Sequence, residues 1–393
     1  MEEPVQKKIR RETPTKCEND DTVQSCENLV DSNIYLTYDI LRIVFRYLNG
    51  RDLASAAMVC RLWLEAANNE KCTRSPYCFI ERYVPSKDDS LNCIKNSRVK
   101  PSVGFFFIPT KSQFRIKACI LDLLPQNCDA IMLNTSGIVI NNKELQYNAF
   151  PNMVCAFLPQ IPNVKINMFK ILNLCSELNP RTYEKYTYKY QQKELINMID
   201  QIPDHDKSTC LMLFCNNLGY KVAKCLASTV QKRRDNRIAS LWGGVVEEMY
   251  MNNTHDATFD KHPYHRIDST YCLAILITGL IQSWSTVIDR ECIAKEQIEE
   301  RLRLFKDQVK LKKHSVGFMF ACTARGFNMH QDRNVESTIF KTLFPKVPLV
   351  GCFGNGEFGK NTMPVEENIV GKKTKGTKWY NEYSTIFMIL TYG

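Results

Sequence analysis

The chain has 393 residues, 44% of them hydrophobic, and its 52 Lys and Arg against 42 Asp and Glu give a formal charge of +10. That length and composition predict two or three globular domains with at least one large core. The basic excess is spread along the chain, which argues against a nucleic-acid surface, and the longest apolar run, Cys272 to Ile281, is about half of what a membrane span needs.

Seventeen cysteines would suit a secreted disulfide protein, but the number is odd and no cationic, apolar, small-residue signal precedes them. A reducing compartment, cytoplasm or nucleus, is expected. No cysteines stand in a Cys-x-x-Cys spacing, and His262 and His265 enclose Pro263 with no thiolate partners, so no metal or other cofactor is expected. Residues 1–32, with Pro4, Pro14 and mixed charge, read as a disordered tail. Within it Lys7, Lys8, Arg10 and Arg11 form either a nuclear import signal or a merely solvated basic cluster.

Residues 33–80 read as a small all-α unit of three helices. Leu36, Ile40, Leu41, Val44, Phe45 and Leu48 recur at three- and four-residue steps on a helix that opens near Thr37 and Asp39 and stops at Asn49 and Gly50. Asp52 can cap a second helix through Leu53, and Val59, Cys60, Leu62 and Trp63 supply the apolar face of a third. So short a unit has more apolar side chains than it can bury alone, which predicts a docking module. The order and spacing of Leu36, Ile40, Leu41, Phe45, Leu48, Leu53 and the closing Val59-Cys60-Arg61-x-Trp63 resemble an F-box. Thr37 stands where that family usually has proline and Asp39 where glutamate is common; neither removes the apolar set. The resemblance implies that Leu36, Ile40, Leu41, Phe45, Leu48, Leu53, Val59, Cys60 and Trp63 bind the Skp adaptor of an SCF (Skp–cullin–F-box) ubiquitin ligase. Through the adaptor come cullin and a RING protein, and the rest of the chain selects the protein to be ubiquitinated.

Residues 81–100, polar from Ser86 to Ser90, read as a linker. From Pro101 apolar runs of four to six residues alternate with helical patterns, the mark of an α/β arrangement. Ser102 to Phe107 reads against Ser315 to Phe320, and each leads through a helix to a second strand, Ala130 to Leu133 before Gly137 and Pro348 to Phe353 before Gly354. A third such unit runs from Cys210 to Cys215, through a helix near Tyr220 to Lys232, to Ile238 to Trp242. Two similar halves, 101–255 and 256–393, follow, making an α+β multidomain protein in which the all-α unit precedes a larger α/β module. Tyr271 to Thr278 and Ser283 to Ile288, about Gly279, read as a hairpin. The run with Tyr183, Tyr186, Tyr188 and Tyr190 could stack single-stranded nucleic acid, although a helix face or connecting loop explains it more simply.

Two strand ends carry unusual residues: Cys322, Arg325 and Gly326 after one, Asn355, Gly356 and Glu357 after another. Strand ends of α/β sheets bind ligands, so Arg325 could clamp a carboxylate and Glu357 an amine; alternatively the two form an internal ion pair. With Pro348, Leu349 and Tyr383-Ser384-Thr385, these residues resemble the FIST domain, a sensory module, and an F-box joined to FIST halves resembles the F-box only protein 22 family. That resemblance implies a candidate pocket for a small molecule such as an amino acid at Cys322, Arg325, Gly326, Asn355, Gly356 and Glu357, with a ligand-responsive sensor as the alternative function. Catalysis is not expected. Gly354-x-Gly356-x-x-Gly359 lacks the Lys-Ser or Lys-Thr of a phosphate loop, and Cys322 with His330 has no orienting third group.

Overall fold

A computed structural model describes residues 36–82, 91–109, 114–146, 149, 151–172, 192–203, 208–252, 270–362 and 378–393. The expected tail, the pair His262 and His265, and the tyrosine run from Tyr183 to Tyr190 lie outside the described residues.

The chain first forms α1 (Tyr38–Phe45), α2 (Gly50–Ala56) and α3 (Arg61–Thr73). Leu41 and Phe45, one helical turn apart, meet Leu53 and Ala56 of α2 and Ala66 and Ala67 of α3 in a private core of six buried residues. Trp63 closes its rim, edge-on to Phe45 at 5.4 Å between ring centroids. The cap of α2 is Asn49, not Asp52. Its Oδ1 accepts from the N–H groups of Arg51 (2.9 Å) and Asp52 (2.8 Å), so the residue that ends one helix opens the next.

The expected linker is folded where it is described. β1 (Tyr77–Arg82) joins a sheet, and Leu91 and Ile94 are buried around α4 (Asn92–Lys95). The Gly50 N–H donates to the Ser97 carbonyl at 2.9 Å, and a Cβ on Gly50 would stand 2.7 Å from the Lys100 nitrogen. Arg74 donates to the carbonyls of Phe45 (3.0 Å), Leu48 (2.8 Å) and Arg98, tying α1 and α3 to this segment. Its few apolar residues have no period, which is why it reads as polar connection.

A larger mixed α/β region with three sheets follows the helices, as the α+β reading expects. It divides more finely than into halves. One unit holds β1, α4, β2 (Pro101–Pro109), α5 (Phe114–Leu123), β3 (Asp129–Thr135), β4 (Gly137–Ile140), β5 (Lys143–Leu145) and β6 (Asn152–Pro159). A second holds β7 (Val164–Leu172), α6 (192–200), β8 (Cys210–Cys215), α7 (Tyr220–Arg234), β9 (Ser240–Val245), β10 (Glu248–Asn252) and β11 (Thr270–Gly279). The third holds β12 (Ile281–Ile288), α8 (Lys295–Gln308), β13 (His314–Cys322), α9 (Phe327–His330), α10 (Val335–Leu343), β14 (Leu349–Gly354), β15 (Glu357–Gly359), β16 (Tyr380–Asn381) and β17 (Thr385–Tyr392).

Each unit has a parallel pair joined through helix, β2 with β3, β8 with β9 or β13 with β14. Beside the first strand of each pair runs an antiparallel β6, β11 or β17, edged in turn by β1, β7 or β12. The strand after each pair leaves its own unit: β4 pairs with β14, β15 with β9, and β10 with β3. The exchange is cyclic, so no unit completes its own sheet and a boundary near residue 255 separates nothing.

These strands are apolar at successive positions because both faces are covered. In β2, Val103, Phe105 and Phe107 face the central core while Phe106 and Ile108 face the core beneath α4 and α5; in β13, Phe318 and Phe320 oppose Met319 and Ala321 in the same way. Trp242 sits in the central core, with ring centroids 5.0 Å from Phe318 and 5.3 Å from Phe214. The expected hairpin does not form. β11 lies between β7 and β8, whereas β12 pairs with β17 in another sheet. Gly279, at φ 113°, would put a Cβ 2.0 Å from the Asn163 carbonyl oxygen, so this glycine marks a crossing between sheets.

Candidate docking surface and the buried strand ends

Outside its private core the helical unit leaves large apolar side chains in solvent. Ile40, Ile43 and Val44 on α1, Tyr47 after it, Met58 and Val59 before α3, and Leu62 and Leu64 within it are all exposed. Tyr47 and Met58 are each 84% exposed, which for residues of this size marks surface built to meet something.

The ends of β13 and β14 are closed instead. Arg325 is wholly buried, its Nε donating to Glu336 Oε1 at 2.6 Å and its other nitrogens to the carbonyls of Cys292 (2.9 Å), Asp289 (3.1 Å) and Tyr383 (3.1 Å). His330 Nε2 lies 3.1 Å from the same Glu336 oxygen. Burial pushes the Glu336 carboxyl up, but Arg325 and His330 outweigh it and hold the group at about 2. Arg325 therefore neither faces a ligand nor pairs with Glu357. Nothing in the sequence singles out Glu336, a first-turn acid of α10, as its partner.

Glu357 is also buried, accepting from the Ser384 N–H (3.0 Å), the Ser384 hydroxyl (2.7 Å) and the Gly356 N–H (3.0 Å). Desolvation outweighs these bonds and pushes its carboxyl up to about 7. Burial, with the Glu357 charge beside it, pushes the Cys322 thiol up to about 11. Such a thiol is a poor nucleophile near neutral pH, and His330 is engaged with Glu336. Gly326 and Gly356, at φ 66° and 116°, serve close packing: their absent Cβ atoms would stand 2.7 Å from Gln146 Oε1 and from the Tyr380 hydroxyl. Asn355, the exposed member of the six, accepts from the Thr323 hydroxyl at 3.2 Å. A cavity of about 740 Å³ lies nearby, lined by Lys224, Arg290, Tyr380, Glu382 and Ser384 but by none of the six. Among the described residues no three His, Cys, Asp or Glu side chains gather to hold a metal, and no helix is long and apolar enough to cross a membrane.

Residues 38–78, the stretch that bears the exposed apolar row, match the F-box-like family model. The chain carries an F-box-like domain. F-box only protein 22 of Pongo abelii and that of Homo sapiens are each 22% identical to it over 395 residues, 90% of this chain and 93% of theirs. An F-box/LRR-repeat protein of Arabidopsis thaliana is 27% identical over 99 residues, 25% of this chain and 18% of that one. The crystal structure of a cyanuric acid hydrolase from A. caulinodans covers 81% of this chain and 99% of its own, but at 8% identity and a TM-score of 0.38 the likeness is too low to bear on fold or activity.

The nine residues expected to hold an adaptor, all but Leu36 inside the F-box-like match, divide. Leu36, Ile40, Val59 and Cys60 are exposed, Leu48 and Trp63 are half-buried against the core, and Leu41, Phe45 and Leu53 turn fully inward. The last three are core, closed to a partner. Ile40 and Leu41, like Val44 and Phe45, are adjacent in sequence and so about 100° apart on the helix, and an apolar pattern this wide does not say which side faces in. Ile43, Tyr47, Met58, Leu62 and Leu64 extend the exposed row beyond those expected.

Proposed function

We propose that this chain is the substrate-recognition subunit of an SCF ubiquitin ligase, acting in the cytoplasm or nucleus. The F-box-like domain holds the Skp adaptor, and through it cullin and the RING protein; the three-sheet body presents a target protein for ubiquitination and proteasomal degradation. The chain performs no bond chemistry, and its contribution to rate is proximity. The observation that carries this reading is an apolar row left in solvent by a domain whose own core is already closed. Covering a side chain such as Ile43 or Leu62 contributes about 1.5–3 kcal/mol before the cost of association is subtracted. The test is co-purification of the Skp adaptor with the full chain and with an Ile43→Asp/Val59→Asp variant. The variant loses the adaptor while its thermal transition stays in place; adaptor recovery at the wild-type level would sink the reading. Mass spectrometry of bound proteins with and without proteasome inhibition identifies the target.

A further inference from the structure

Where α3 meets the start of β2 and the turn after β6 there is a cavity of about 390 Å³, lined by Lys71, Arg74 and Lys100 and by no acidic side chain. Asn68, Asn127 and Gln160 also line it, beside the apolar Leu53, Val99 and Pro101. The three cations differ in how their charge is met. Arg74 directs its nitrogens to Glu70 and to backbone carbonyls, so it adds field to the cavity but few free donors. Lys71 reaches the amide oxygen of Asn68, at 3.4 Å, and no acid among the described residues pairs with Lys71 or Lys100. Burial first, and then the nearness of Lys100 and Arg74, holds the Lys71 ammonium below its ordinary range. Cations gathered in the wall of one cavity repel one another until an anion enters.

We infer that this cavity binds a phosphate-bearing ligand, its oxygens held by Lys71 and Lys100 and by the amides of Asn127 and Gln160. Lys71 belongs to the F-box-like domain and Lys100 and Gln160 to the body, so the ligand would bridge the two. The phosphate comes either from a free phosphorylated compound or from a phosphorylated side chain of a protein segment.

Calorimetric titration of the full chain with inorganic pyrophosphate at constant ionic strength tests this. Saturable one-to-one binding is expected, weakened about tenfold or more by Lys71→Glu/Lys100→Glu. It stays unchanged in Lys232→Glu/Arg233→Glu, which reverses the same number of charges on the exposed end of α7. Circular dichroism checks that both variants keep the fold. Equal weakening by both pairs would show that the basic chain attracts pyrophosphate everywhere and would overturn the site, as would the absence of saturable binding. A second arm compares free phosphoserine with a phosphoserine pentapeptide. Tighter binding of the peptide assigns the phosphate to a protein segment, and equal or weaker binding to a free compound; either upholds the site. Failure here leaves the adaptor surface standing, because neither lysine belongs to the exposed apolar row.

Discussion

The F-box-like domain and the three-sheet body use apolar residues in opposite ways. In the body, alternate residues of one strand serve two cores, as Phe105 and Phe106 do, and large side chains are consumed inside. In the small domain six residues make the core, while Ile43, Tyr47, Met58 and Val59 among others stay outside. The surface of a unit this small is too large for its volume, and the excess is what a partner can use. Charge shows the reverse: the body buries Arg325 and Glu357 at its strand ends, and Glu336 in the first turn of α10 beside them, where charge would ordinarily advertise a site.

Four experiments would break or sharpen this contrast. The largest effect is expected from Arg325→Met, which strands the buried Glu336 carboxylate and costs about 3–5 kcal/mol, read from the denaturant midpoint. Adding Glu336→Gln recovers part of that; a single variant as stable as the parent would mean that the charge is not sealed in. Phe45→Ala comes next, removing the largest side chain from the small core at about 3–4 kcal/mol. Hydrogen exchange should show faster loss of protection in α1 to α3 than in the central strands, and uniform loss would erase the contrast.

Third is the pH profile. The Glu357 pKa rises from 4.5 to about 7 on folding, so the folded state holds the proton longer and stability falls as pH climbs between these values. The drop is on the order of 3 kcal/mol and is absent in Glu357→Gln. Glu336 slopes the other way. Held at about 2, it contributes stability that is complete above 4.5 and is lost as pH falls toward 2. Thermal melts across this range should show wild-type stability greatest near pH 4.5–5 as far as these two groups decide it. The smallest effect on folding is Val59→Ser, within about 0.5 kcal/mol on the denaturant midpoint, although it removes apolar surface from the exposed row.

Much of the body was legible as elements. The run Cys210–Cys215 is β8 residue for residue, and the helix expected near Tyr220 to Lys232 is α7 at Tyr220–Arg234. All three strand, helix and strand blocks could be read, because unbroken apolar runs beside helical periods are local signals. Their grouping could not. Which strand lies beside Val350 to Phe353 is settled by Gly137 to Ile140, some two hundred residues away, and no local period records that choice. At the strand ends the sequence offered Glu357 as the ion-pair partner of Arg325, but the partner is Glu336, eleven positions on. For the helices, composition said that apolar surface is in excess, and only packing could say that Phe45 is hidden and Tyr47 is not.

The cyclic exchange of strands sets a schedule on synthesis. As the chain leaves the ribosome, β3 waits for β10 at Glu248–Asn252, while β4 waits for β14 at Leu349–Gly354 and β9 for β15 at Glu357–Gly359. Two of the three sheets therefore stay unfinished until residues 349–359 have emerged, and Ile138 to Ile140 are held open over the intervening two hundred residues. A nascent chain with such late contacts folds slowly and exposes strand edges that chaperones recognise. A premature stop before β14 would leave two sheets short of strands instead of removing one terminal segment.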